Sequence, residues 1–347
     1  MKDNLSRKML YQKYESKLTY NKGCLLMKKY LFSLLLLIIT FGLVACGGTG
    51  SSDKSSGNSS DKEAGKKNET VMIKHALGET EVKKNPKKIV VFDFGMLDTL
   101  DKMGIEVIGV PQSGKIPPYL EKYADSKYEN VGSLVEPDFE KIAEIGPDLI
   151  ITSGRQAEQY DEFKKIAPTI NIQLDAKNYV DSFKENVQII AQIFDKEDFV
   201  KDELAKIDDQ IAKVNKEVTA LNKNALIVLV NEGKVSAFGP GSRFGLIHDV
   251  LGFTPADPNI QVDVHGQGIS FEYIVEKNPD YLFVIDRTAV VGGESSAKEV
   301  IENDLVKNTT AYKDGHIVYL DPNYWYLSGG GLVSVSEMIS EIEDSIK

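Results

Sequence analysis

The chain has 347 residues, with 52 acidic side chains against 41 basic ones and a formal net charge of −11 at pH 7. That balance argues against nucleic acid as a partner, since binding a polyanion requires a basic face. Cys24 and Cys46 are the two cysteines, too few for a disulfide framework.

Residues 1–45 read as a signal peptide whose working start is Met27. Met27-Lys28-Lys29 supplies a basic beginning, Leu31 to Val44 a 14-residue apolar centre, and Leu43-Val44-Ala45-Cys46-Gly47 follows at once. The centre is too short to span a bilayer and suits an export signal. The small residue before Cys46 resembles the bacterial lipobox, in which the cysteine is lipidated and becomes the new N-terminus. Residues 46–70 then read as a flexible tether, rich in Ser, Gly and Lys without apolar periodicity. Residues 1–45 hold eight Lys or Arg against two Asp or Glu, so the remainder carries a formal −17 and, with Cys24 gone, cannot form a disulfide.

The body opens with an apolar strand at Ile89 to Asp93, a turn at Gly95, a helix over Met96 to Met103 ended by Gly104, and a strand at Glu106 to Val110. Residues 139–155, FEKIAEIGPDLIITSGR, read as a short amphipathic helix, a Pro-Asp break, a buried strand and an arginine. Pro168 to Leu174 gives another strand. From Glu197 to Leu221 the apolar residues Val200, Leu204, Ile207, Ile211, Val214 and Val218 keep a helical period with no Gly or Pro, a rod of roughly 37 Å. A second set follows: a strand at Ala225 to Val230, a helix over Phe244 to Leu251 ended by Gly252, residues 271–287 (FEYIVEKNPDYLFVIDR), a strand at Ile317 to Leu320 and a closing helix from Leu332 to Ile346.

The segments 139–155 and 271–287 are internal repeats. At an offset of 132 the pairs Phe139/Phe271, Glu140/Glu272, Ile142/Ile274, Glu144/Glu276, Pro147/Pro279, Asp148/Asp280 and Arg155/Arg287 are identical. Uninterrupted apolar strands suit a parallel sheet covered on both faces, and ligands of such sheets sit beyond the strand carboxyl ends. The fold expected is therefore α/β, with two Rossmann-like lobes, residues 71–196 and 223–347, joined by a single long helix over residues 197–222, and a ligand cleft between them.

Arginine use marks the cleft. From residue 46 onward there are 30 lysines but three arginines, Arg155, Arg243 and Arg287. A guanidinium offers oxyanions a rigid fork of donors and stacks on aromatic rings, which an ammonium does not. Any one of the three could simply cap a strand or pair with a surface acid. Three together, two of them repeat mates, point to an anionic ligand.

This layout resembles the substrate-binding lipoproteins of bacterial iron-siderophore ABC importers, and within them the ferric-catecholate and petrobactin-type binders. The matching segments are ITSGR ending at Arg155, NEGKVSAFGPGSRFG around Arg243, HGQ beginning at His265, IDR ending at Arg287 and NYWYLSGGG around Tyr326. The resemblance implies that the three arginines hold the anionic ferric chelate. It also implies that His265 and Tyr326 complete the iron shell when the siderophore offers only four oxygens, and that Glu140 and Glu272 dock the importer, one on each lobe. The expected partners are the siderophore, an ABC permease with its cytoplasmic ATPase and, through lipid on Cys46, the membrane. No intrinsic cofactor is expected, and the chain is expected to act as a monomer on the extracellular face of a Gram-positive cell membrane.

Bland readings remain beside these. His265 lies in a Gly-flanked polar loop where a solvated histidine is usual, the aromatics Tyr324-Trp325-Tyr326 could equally be core, and Glu140 and Glu272 also suit a helix N-terminus electrostatically. Trp325 is an alternative stacking wall, Lys115 a further cleft cation, and Gly329-Gly330-Gly331 either a close backbone approach or a flexible turn. A haem or cobalamin receptor on the same scaffold is the nearer rival. An extracellular hydrolase is the distant one: residues 109–115 mimic a phosphate loop, but Ile116 and Pro117-Pro118 spoil it, and Ser242 lacks the glycines of a nucleophile elbow.

Overall fold

The computed structural model describes residues 69–347. The signal peptide, Cys24, the lipidation residue Cys46 and nearly all of the tether lie outside the described residues. The first elements are a hairpin, β1 (Thr70–His75) and β2 (Gly78–Lys83), paired antiparallel. Sequence reading left this hairpin unassigned because its residues are largely exposed and carry little apolar signal.

Two sheets follow. In the first, β3 (Ile89–Val91), β4 (Gly109–Val110), β5 (Glu129–Asn130), β6 (Leu149–Ser153) and β7 (Thr169–Ile172) lie in the order 5-4-3-6-7, all parallel. In the second, β11 (Gln267–Ile269), β9 (Lys234–Phe238), β8 (Asn224–Asn231), β12 (Tyr281–Asp286) and β13 (Ile317–Leu320) form the path, with β10 (Thr254–Pro255) beside β8. Strands β8, β12 and β13 are parallel to one another, with β13 at the edge of the path.

Period-two packing explains the uninterrupted apolar runs. Ile89, Val91, Leu149 and Ile151 join one core while Val90, Phe92 and Ile150 join another on the opposite face. Ile227, Leu229, Phe283 and Ile285 likewise face one side, and Leu226, Val228, Leu282 and Val284 the other. Each strand is thus buried on both faces. One of these cores is continuous across both sheets, because α1 (Phe94–Lys102), α4 (Tyr179–Phe194), α5 (Glu197–Leu221) and α10 (Leu332–Ser345) all contribute to it.

The repeat has a structural cause. Its helices are α2 (Phe139–Ile145) and α6 (Phe271–Lys277), and both end in a left-handed residue, Gly146 at φ 58° and Asn278 at φ 39°, the two residue types that tolerate it. Asp148 accepts the backbone N–H groups of Lys87 and Lys88 at 2.9 Å each, and Asp280 accepts that of Asn224 at 3.0 Å. Each repeat aspartate therefore ties down the start of the neighbouring strand, β3 or β8.

Two expectations change in detail. The helix expected over Phe244 to Leu251 is a single π-turn, Leu246–Val250; the Asp249 carboxylate turns back onto the Gly241 N–H at 2.6 Å and holds the chain there as a loop. The closing helix α10, assigned by sequence to the second lobe, crosses back to the first. Asp98 of α1 accepts the N–H groups of Val333 and Ser334, and Thr99 that of Leu332, so α1 caps α10.

Candidate functional site

The cleft is built where strands of both sheets end. Beyond β3 stands Asp93, beyond β6 Arg155, and beyond β12 Arg287, while Arg243 comes from the loop after β9. Asp93 caps α1 through Met96 N–H at 2.9 Å and lies 3.9 Å from Arg155 Nη1. Its burial raises its pKa even though the Arg155 charge opposes the shift.

All three arginines converge on Tyr326, which sits on a π-turn, Asn323–Ser328. Such turns occur often at functional sites. Arg155 Nη2 donates to the Tyr326 carbonyl at 2.8 Å and Arg243 Nη2 to the same oxygen at 3.3 Å. Arg287 Nε donates to the Tyr326 hydroxyl at 2.6 Å. The Arg243 guanidinium also lies 4.6 Å from the Tyr326 ring centre and 4.9 Å from that of Phe244. Sequence reading placed these four residues in one site, and the structure brings them together.

The Arg243 charge is costly to hold. Burial, together with the neighbouring Arg155 and Arg287, lowers the Arg243 pKa to about 10. The group stays charged at neutral pH, yet a half-buried cation beside two others is electrostatically costly until an anion arrives. A cleft of this kind is preorganised for negative charge.

The cavity holds about 460 Å³ and mixes Arg155 and Arg243 with apolar walls from Met96, Ile172, Leu174 and Val264. Trp325 borders it but is only 2% exposed, and its indole N–H is fastened to Glu341 at 2.6 Å. It backs the Tyr326 turn and presents no free face for stacking. Lys115 lies outside the cavity lining; its ammonium donates to the Ala289 carbonyl at 2.8 Å and bridges the rim from one lobe to the other. His265 is exposed and does not line the cavity, although its neighbours Asp263 and Val264 do. The structure does not bring it together with Tyr326.

Sequence reading missed Asn231 and the loop 262–264. Asn231, at the end of β8, accepts from Arg287 Nη1 at 2.6 Å and fixes the fork that Tyr326 holds at its other end. Its position beyond a strand carboxyl end was the available signal. Gly331 serves close approach, since a side chain there would overlap the Asp98 carboxylate and the Gly95 carbonyl, whereas Gly329 ends the Tyr326 turn in the left-handed region at φ 49°. Glu140 and Glu272 are both exposed, each second in its repeat helix, and the Glu272 pKa is lowered by backbone and Ser270 hydrogen bonds.

Comparison with known proteins gives this architecture its family. The periplasmic binding protein family model matches residues 89–324. The chain belongs to that family. It is 53% identical over 325 residues to the petrobactin-binding protein YclQ of Bacillus subtilis, spanning 92% of this chain and all of the relative. It is 34% identical to the ferric-anguibactin-binding protein FatB of Vibrio anguillarum over 78% of this chain and 86% of that one. The crystal structure of the Bacillus subtilis petrobactin-binding protein superposes with a TM-score of 0.79 at 57% identity, covering 80% of this chain and 99% of the other. The catecholate-siderophore-binding protein VctP of Vibrio cholerae gives 0.76 at 39% identity, covering 80% and 100%. The binding protein thus shares its two-lobed α/β fold and single 25-residue connecting helix with siderophore binders.

Proposed function

We propose that this binding protein captures a ferric catecholate siderophore of the petrobactin type outside the membrane and delivers it to an ABC permease driven by a cytoplasmic ATPase. Convergence of the three arginines on Tyr326 carries the reading. Fe(III) bound by catecholates is a hard, oxygen-satisfied complex with net negative charge, so its receptor needs charge-assisted donors and apolar walls more than a metal cage. The cleft supplies both. The similarity to petrobactin-, anguibactin- and catecholate-binding relatives supports the same ligand class. In this reading Cys46 carries the lipid that holds the protein at the extracellular face, and Glu140 and Glu272 meet basic residues of the permease.

Trp325 is the one tryptophan of the chain and borders the cleft, so its fluorescence reports occupancy. A titration with ferric bis- and tris-catecholates, ferric hydroxamates, ferric citrate, haem and cobalamin is expected to show tight, saturable quenching by catecholates. Tighter binding of haem or cobalamin would overturn the reading. Glu140→Lys combined with Glu272→Lys is expected to abolish iron uptake by cells while leaving that titration unchanged.

A further inference from the structure

The cleft is not cationic throughout. Val262, Asp263 and Val264 line it from the loop between β10 and β11. Val264 is 76% exposed and Val262 57%, and Val264 is the most exposed large apolar side chain among the described residues. Leu174 and Ile172 also line the cavity. Between the two valines, Asp263 uses one carboxylate oxygen to accept the His265 N–H at 2.8 Å. Arg155 has Asp93 as its acidic neighbour, and among the described residues no lysine or arginine pairs with Asp263.

Asp263 is exposed and its carboxylate partly screened, yet its charge still opposes a purely anionic ligand in the same cavity. It becomes favourable when the ligand brings its own cation, and exposed valines on either side favour methylene groups next to that cation. We infer that Val262, Asp263 and Val264 form a second subsite that takes a protonated aliphatic amine in the ligand's linker, beside the arginine subsite that takes its anionic iron-bound head. This rests on the ferric-catecholate reading and adds to it a choice among linkers. Selectivity of this kind is a difference of two affinities, gained where the cation matches and lost where it is missing.

The test uses two ferric bis-catecholates of equal linker length, one with a secondary ammonium and one with an ether oxygen at the same position, both titrated by Trp325 fluorescence. The wild type is expected to bind the ammonium ligand about fivefold more tightly, the size of a partly exposed ion pair. Asp263→Asn is expected to remove that preference by weakening the ammonium ligand alone, while Val264→Ser weakens both. The ether ligand serves as the internal control for folding. Equal affinities in the wild type, or an equal effect of Asp263→Asn on both ligands, would overturn the subsite while leaving the ferric-catecholate reading standing. Failure of both ligands to bind overturns the two readings together.

Discussion

Arg287 donates through Nε to the Tyr326 hydroxyl and through Nη1 to Asn231, both at 2.6 Å. These two fixed bonds brace Tyr326 against β8, although Arg287 itself is not among the residues that line the cavity. A lysine has one nitrogen on a flexible stem and cannot hold both partners in that fixed geometry. Arg287→Lys is therefore expected to weaken ferric-catecholate binding at least tenfold, in keeping with the roughly 1.5–3 kcal/mol of a charged hydrogen bond. Removal of the exposed Lys74 on β1 should change it little. Equal losses in a fluorescence titration would contradict the role given to the fork. Arg243 works differently: it is held by stacking on Tyr326 and Phe244, and burial, with the Arg155 and Arg287 charges adding to it, lowers its pKa.

At the scale of elements, α10 governs the turn that carries Tyr326. Its N-terminus sits on α1 through Asp98 and Gly331, and Glu341 in its body receives the Trp325 indole N–H and the Asp321 backbone N–H. Gly331→Ala forces a methyl group into the Asp98 carboxylate and the Gly95 carbonyl. We expect a loss of about 1–3 kcal/mol in unfolding free energy, read by thermal or chemical denaturation. Gly114→Ala, which meets nothing within 4 Å, should be close to neutral. Burial raises the Glu341 pKa from 4.5 to about 7, with the nearby Asp321 and Glu337 carboxylates pushing the same way. Between these values the folded protein holds a proton that the unfolded chain has released. This contribution to stability is present below pH 4.5 and is lost as the pH rises towards 7, at no more than about 1.4 kcal/mol per pH unit. Glu341→Gln should flatten that part of the pH profile, and an unchanged profile would remove Glu341 as its source.

At the scale of the whole molecule, the two sheets share a continuous apolar core through α4, α5 and α10, and a 25-residue helix connects them. A wide hinge motion between the sheets would expose that core. Loading with a ferric catecholate is therefore expected to alter the solution scattering profile only slightly, and a large drop in radius of gyration would contradict this.

Much of this was legible in one dimension. Strands buried on both faces show as continuous apolar runs, which is why β3, β6, β8 and β12 could be read from Ile89, Leu149, Ala225 and Tyr281 onward. The helix from Glu197 to Leu221 has the observed bounds because its apolar period is unbroken and no Gly or Pro interrupts it. Arg155, Arg243 and Arg287 stood out by scarcity, and Arg155 and Arg287 also by repeat position, whereas Tyr326 was indicated by the resemblance to siderophore binders. The return of α10 to α1, the backing role of Trp325, the brace from Asn231 and the exposed loop at Asp263 were decided by tertiary structure alone. Local sequence encodes the period and chemistry of a segment, whereas partners far apart in the chain, such as Asp98 and Ser334 or Trp325 and Glu341, are chosen only when packing brings their backbones together.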